Sequence, residues 1–209
     1  SCRLLLVNLF GFVLNPFTPE AKFDWKGFYE AVQVAQRLMD DLVDLEEECI
    51  RKIIQKIETD PEPEDVKCRE LNLWQKILTA CLDGRRTGTG ITALGDAIAA
   101  LGIGYGSEDG IYMTDRIYKT LKFGCYRASV DMAKELGSFP VWDHELEKDN
   151  PYLRRIQNEE IEIGVGCFVF GDKLWDDMQR YGRRNIACMT TAPAGSVSLV
   201  AGLTNYFGT

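Results

Sequence analysis

Histidine is nearly missing from this sequence: His144 is the only one in 209 residues. A Ser-His-Asp or Cys-His catalytic set therefore has one imidazole to draw on, and a multi-histidine metal site has too few. Cys2, Cys49, Cys68, Cys81, Cys125, Cys167 and Cys188 include no Cys-x-x-Cys pair, which excludes a recognisable zinc site; their odd number and scatter argue against a disulfide framework. Basic residues are outnumbered, 24 Lys and Arg against 32 Asp and Glu, and the net charge of −8 argues against a general nucleic-acid-binding surface. No apolar run approaches the roughly 18 residues of a membrane helix. The opening Ser-Cys-Arg-Leu-Leu-Leu-Val-Asn-Leu-Phe is also too short and too soon polar for a signal peptide. The chain reads as cytoplasmic, with neither nucleic acid nor membrane as partner. An initiator methionine is lacking too, and Tyr206-Phe207-Gly208-Thr209 brings no helix to close a domain, so residues 1–209 read as a fragment of something longer.

What is present is enough apolar material for a core, at 45% hydrophobic and 11% aromatic residues. Cys2 to Val13 reads as a buried strand, stopped by Asn15-Pro16. Asp24 caps a long helix from Trp25 to about Ile57, with apolar residues at helical spacing and a break allowed near Glu46-Glu47-Glu48. Its acidic residues Asp40, Asp41, Asp44 and Glu46 to Glu48 read as a solvated face, not a metal site, since no Glu-x-x-His spacing accompanies them. Thr59 to Asp65 is a proline-broken loop, and a second helix runs from about Val66 to Leu82. Thr87-Gly88-Thr89-Gly90 lacks the Gly-Lys-Ser/Thr of a nucleotide loop and is expected to let a small-residue helix, Ile91 to Leu101, pack closely. Ser107 and Asp109 open a helix from Gly110 to about Leu136. Asp143 to Tyr152, with a solvated His144, is expected as polar loop, and Asp172 to Gly182 as a helix. Arg183-Arg184-Asn185 leads into a closing strand, and strands separated by helices indicate an α/β architecture with parallel pairing.

That closing strand, through Ile186, Ala187 and Met189, is broken by Pro193-Ala194-Gly195-Ser196 as the chain turns into a short helix. Two readings stand. Ser196 caps an ordinary strand-to-helix turn, or the N–H groups of Gly195, Ser196 and Val197 hold an anion at a helix start. Of the cysteines, Cys81, Cys125, Cys167 and Cys188 sit among apolar or small neighbours and read as core thiols, and on residues alone Cys2 is structural as well.

Three stretches in order add to this. Thr191-Ala192-Pro193-Ala194-Gly195-Ser196-Val197-Ser198 resembles the phosphate-binding loop of the large, catalytic chain of ribonucleotide reductase, above all its class II, adenosylcobalamin-dependent branch. Gly84-Arg85-Arg86-Thr87-Gly88-Thr89-Gly90, continuing to Asp96, is similar to that family's Arg-Arg-x-Gly-x-Gly region, and Ser1-Cys2 with Val7-Asn8-Leu9 resembles the segment that carries one of its redox thiols. The resemblance implies part of a ten-stranded α/β barrel, helix-rich, with 1–209 as a partial catalytic domain lacking the upstream radical-cysteine loop and the C-terminal part. It implies radical reduction of ribonucleoside di- or triphosphates, with Cys2 as a redox-active thiol and Pro193, Ala194, Gly195, Ser196 and Val197 at the substrate phosphates. Adenosylcobalamin is the implied cofactor, with a class I diiron partner chain as alternative. The implied partners are the ribonucleotide, a thioredoxin-like reductant and, at full length, a second copy of the chain. The segment by itself would be inactive.

Departures are visible as well. Arg3 stands where the family usually has Asn, Ala194 where class II chains usually have Thr, and Leu203 to Thr209 replaces the usual Gly-Ile-Glu-Pro continuation. A non-catalytic α/β domain that binds a nucleotide or a protein remains the alternative.

Overall fold

The structure is a computed structural model, and it describes residues 3–203. Its centre is a parallel strand pair, β1 (Leu5–Asn8) and β4 (Thr89–Thr92), in register Leu5 opposite Thr89 and Asn8 opposite Thr92. Between them in sequence come β2 (Val13–Leu14) and β3 (Lys22–Phe23), a small antiparallel pair, and two long helices, α1 (Trp25–Thr59) and α2 (Glu64–Gly84). A parallel pair needs such a helical crossover to bring the second strand back beside the first.

The Asp24 side chain accepts a hydrogen bond from the Gly27 N–H at 3.0 Å, as an N-cap should, and α1 then runs 35 residues without the break allowed near Glu46. Its buried face, Phe28, Val32, Ala35, Met39 and Val43, lies against α4 (Glu108–Leu136), whose Ile117, Leu121, Cys125 and Val130 are fully buried. The far end of α1 forms a satellite cluster of Val43 and Ile50 with Cys81 of α2.

Between β4 and α4 lies α3 (Leu94–Ala100). The expected helix from Ile91 is thus shorter, because Ile91 and Thr92 are strand residues paired with Val7 and Asn8. Asp143 to Tyr152 is not plain loop either. It holds α5 (His144–Glu147) and the start of α6 (Pro151–Gln157), capped by Asp143 and Asn150, with His144 exposed as expected. The antiparallel hairpin β5 (Glu160–Gly164) and β6 (Cys167–Phe170) follows and was not expected from the sequence. The last two helices are α7 (Gly171–Tyr181) and α8 (Gly195–Val200). The molecule is helix-rich α/β, and among the described residues its sheets are two-stranded and do not close into a barrel.

Candidate functional site

The segment 186–190 lies along the open edge of β4. Backbone bonds run from Ile186 N to Gly84 O at 2.9 Å, Thr87 N to Ala187 O at 2.9 Å, Thr89 N to Cys188 O at 2.8 Å and Thr190 N to Thr89 O at 3.1 Å. Met189 bridges to Thr89 in parallel sense, so β4 is the middle of three parallel runs. This corrects the role expected for Gly88 and Gly90. A Cβ on Gly90 would stand 2.6 Å from the Thr190 carbonyl oxygen and 2.8 Å from Leu6 Cδ2, and one on Gly88 would stand 2.8 Å from the Arg3 carbonyl oxygen. The glycines admit the flanking runs, not the following helix.

Beneath this layer lies a buried polar junction. Asp40 of α1 is 1% exposed and receives both arms of Arg85, Nε to Oδ1 and Nη2 to Oδ2, each at 2.9 Å. Arg184 Nε donates to the same carboxylate at 3.2 Å and Asn185 Nδ2 at 2.7 Å. Gln36 donates to Asn185 Oδ1 at 3.0 Å and to Thr87 Oγ1 at 2.9 Å, and accepts from Thr89 Oγ1 at 2.8 Å. Ser129 of α4 donates to Asn185 Oδ1 at 2.9 Å and accepts from the Asn185 N–H at 3.0 Å. A buried charge is tolerable only when answered this fully. The acidic stretch of α1 is therefore not simply a solvated face, and Asp40 is its exception. Arg183 anchors the same segment: its guanidinium pairs with Glu147 at 3.0 and 3.1 Å and lies 5.3 Å from the Trp142 ring.

Past the junction the chain emerges at the C-terminal end of the parallel layer, where ligands of α/β sheets characteristically bind. Ala192 and Ala194 are buried, while Pro193, Gly195, Ser196 and Val197 are exposed. Ala194 is the N-cap of α8 and offers no side-chain acceptor, so Ser196 is the second helical residue and does not cap the turn. The N–H groups of Gly195, Ser196 and Val197 occupy the first three helical positions, which have no acceptor within the helix. A Cβ on Gly195 would meet nothing within 4 Å, and its φ is not positive, so neither packing nor backbone conformation demands glycine there. α8 closes tightly: Leu203 N bonds Ser198 O at 2.9 Å and Gly202 N bonds Leu199 O at 3.1 Å, with Gly202 at φ 69°. The result is a short turn at a strand end, with three consecutive amides that have no acceptor within the helix, on exposed residues.

The sequence of this layer and loop matches a known family over nearly its whole length. Residues 1–208 fit the family model described as ribonucleotide reductase, barrel domain. The chain belongs to this family. The vitamin B12-dependent ribonucleoside-diphosphate reductase of Mycobacterium tuberculosis (strain CDC 1551 / Oshkosh) is 25% identical over 205 residues, 98% of this chain and 21% of that protein. The enzyme of the same name from Thermoplasma acidophilum is 23% identical over 202 residues, 97% of this chain and 19% of its own length. The ribonucleoside-diphosphate reductase subunit alpha of Chlamydia pneumoniae is 24% identical over 212 residues, 97% of this chain and 17% of that subunit. The chain thus spans about a fifth of the length of these relatives.

Within this reductase barrel segment, Cys2 lies outside the described residues. Pro193 to Val197 form one continuous turn, but Ala194 is fully buried, so its missing hydroxyl leaves no gap on the exposed side. Arg3, the other departure, is tied down: its guanidinium pairs with Glu46 and donates to the Arg86 carbonyl at 2.6 Å. Of the four expected core thiols, Cys81, Cys125 and Cys188 are buried, whereas Cys167 is exposed on β6. Burial drives the Cys188 thiol up to about 11 against the lowering effect of Arg183, and burial also raises Cys125 well above the usual thiol range. These are neutral, unreactive thiols at pH 7. The junction residues Gln36, Asp40, Ser129 and Asn185 escaped the sequence reading. Arg85 carried the available signal, since a buried arginine requires an acidic partner somewhere in the chain.

Proposed function

We propose that this chain is part of the ten-stranded catalytic barrel of a ribonucleotide reductase large chain, and that its loop 193–197 holds the phosphates of a ribonucleoside di- or triphosphate. The observation that carries the reading is Gly195. It stands among outward amides at a strand end, in a position where the fold itself has room for a side chain. A bound phosphate would need that room, because amide-to-oxygen contacts at about 2.9 Å leave no space for a methyl group. Fixed amides also stabilise anionic oxygens without a charged side chain and without reorganising. Ala194 shapes the turn from its buried position, and Pro193 stiffens the approach.

In this reading Cys2, just before β1, is one of two thiols that become a disulfide as the ribose 2′ hydroxyl leaves as water. The two electrons come from the thiols, and a thioredoxin-like dithiol restores them. The B12-dependent relatives favour adenosylcobalamin, which when bound supplies the initial radical.

The test is an assay of the full-length chain for deoxyribonucleotide formation with and without adenosylcobalamin. Activity that requires the cofactor and a KM raised at least tenfold by Gly195→Asp support the reading. Cofactor-independent activity restored by a diiron partner chain would move the protein to class I. No reduction under either condition would leave a nucleotide- or protein-binding domain.

A further inference from the structure

Helix α4 holds the segment that leads to the loop at two points. The Ser129 hydroxyl donates to Asn185 Oδ1 and accepts from the Asn185 N–H, and the Tyr118 hydroxyl shares a hydrogen bond with Thr191 Oγ1 at 3.1 Å. From Ser129 back to Tyr118 is 11 residues of helix, about 16 Å at 1.5 Å per residue. From Asn185 on to Thr191 is six residues, which at full extension reach about 20 Å at 3.3 Å per residue. The chain's reach covers the helical span, so one helix holds the segment at both points. The helix is a firm support, since Ile117, Thr120 and Leu121 around Tyr118 are fully buried. Downstream of Thr191 the turn itself is shaped by Ser198 N to Ala194 O at 2.7 Å and Ser198 Oγ to Gly195 O at 2.8 Å.

We propose that Tyr118 is a positioning residue for the substrate-phosphate loop: its hydroxyl, through Thr191, fixes how far the amides of Gly195 to Val197 stand from the strand ends. The proposal rests on the phosphate reading of that loop. Tyr118 also lines the cavity of about 440 Å³ between α3 and α4 with Leu94, Ile98 and Ile111, so loss of the hydroxyl bond leaves the ring space to shift.

The experiment is steady-state kinetics of the full-length reductase with Tyr118→Phe, Thr191→Ala, Thr191→Ser and the Tyr118→Phe/Thr191→Ala double variant, with a ribonucleoside diphosphate as varied substrate. The expected result is a KM raised about fivefold by Tyr118→Phe, the weight of one neutral hydrogen bond, with kcat within twofold. Thr191→Ala should match it, the double variant should add nothing more, and Thr191→Ser should restore the wild-type KM. An unchanged KM in Tyr118→Phe, or additive losses in the double variant, overturns the proposal. Gly195→Asp run alongside separates the two ideas. If it leaves KM unchanged, the phosphate reading itself fails; if it raises KM while Tyr118→Phe does not, only the role of Tyr118 fails.

Discussion

The junction at Asp40 and the loop at 191–202 are assembled from the same kinds of polar group and differ in what answers them. At the junction every partner comes from the chain: Asp40 is met by Arg85, Arg184 and Asn185, and Asn185 in turn by Gln36 and Ser129. At the loop, the amides of Gly195, Ser196 and Val197 belong to exposed residues in the first turn of α8 and have no acceptor within the helix. Groups satisfied within the fold hold it together, whereas groups presented outward from a rigid base are available to a ligand. The two regions are joined by Asn185 to Thr190, so the scaffold's rigidity reaches the loop through this short run and the Tyr118 contact just beyond it.

Removing one member of the junction should therefore give the largest effect. Asp40→Ala leaves the 4% exposed Arg85 with only the half-exposed Asp44, and a cost of about 3–5 kcal/mol is expected in urea unfolding, as for other broken buried pairs. A cost below about 1 kcal/mol would show that solvent reaches the junction. Gly90→Ala ranks next. Its Cβ would sit 2.6 Å from the Thr190 carbonyl oxygen, and the strand run would have to move, at about 1–3 kcal/mol by the same unfolding measurement.

Gly195→Ala is the sharpest contrast. Alanine is the better helix former and meets open space, so stability should hold or rise by up to about 1 kcal/mol. Affinity of the full-length chain for a ribonucleoside diphosphate should nevertheless fall about tenfold, or roughly 1.4 kcal/mol. Loss of both together would place Gly195 in the scaffold.

Much of this contrast was legible beforehand because it lies in local chemistry. The cap at Asp24, the cap at Ser107, the long apolar stripes of α1 and α4 and the turn at Pro193 all follow from short-range rules. What escaped depends on partners far apart in sequence. Asp40 looks like its neighbours Asp41 and Asp44 until Arg85 and Asn185, 45 and 145 residues on, are brought to it. Gly88 and Gly90 look like a loop or a helix approach until both flanking runs are in place. The hairpin β5–β6 was hidden because its outer strand exposes Cys167, Phe168 and Phe170 and so lacks a clean alternation. Cys167 was misassigned to the core for the same reason.

Smaller effects refine the picture of the scaffold. Ala93, fully buried just after β4, has φ 64°, a left-handed conformation that costs a non-glycine residue about 1 kcal/mol, so Ala93→Gly should stabilise by about 0.5–1 kcal/mol. A destabilised variant would mean that the methyl group's packing outweighs the strain. The buried thiols give a pH signature. Cys188 keeps its proton in the folded chain up to about 11, whereas the unfolded thiol ionises near 8.5; stability is fully present below that value and is lost as pH rises from it toward 11. Thiol alkylation at pH 8 should accordingly label Cys49, Cys68 and Cys167 in the native chain and spare Cys81, Cys125 and Cys188, as read by peptide mass mapping.

The most direct test of the outward amides compares binding of a ribonucleoside diphosphate and of the same nucleoside without phosphates to the full-length chain and to its Gly195→Asp variant, by equilibrium dialysis. The variant puts a carboxylate in front of the amides and should weaken the diphosphate roughly a hundredfold, the loss of a charge-assisted contact or two, while leaving the nucleoside's affinity unchanged. Equal weakening of both ligands, or of neither, would contradict a phosphate cradle at Gly195 to Val197.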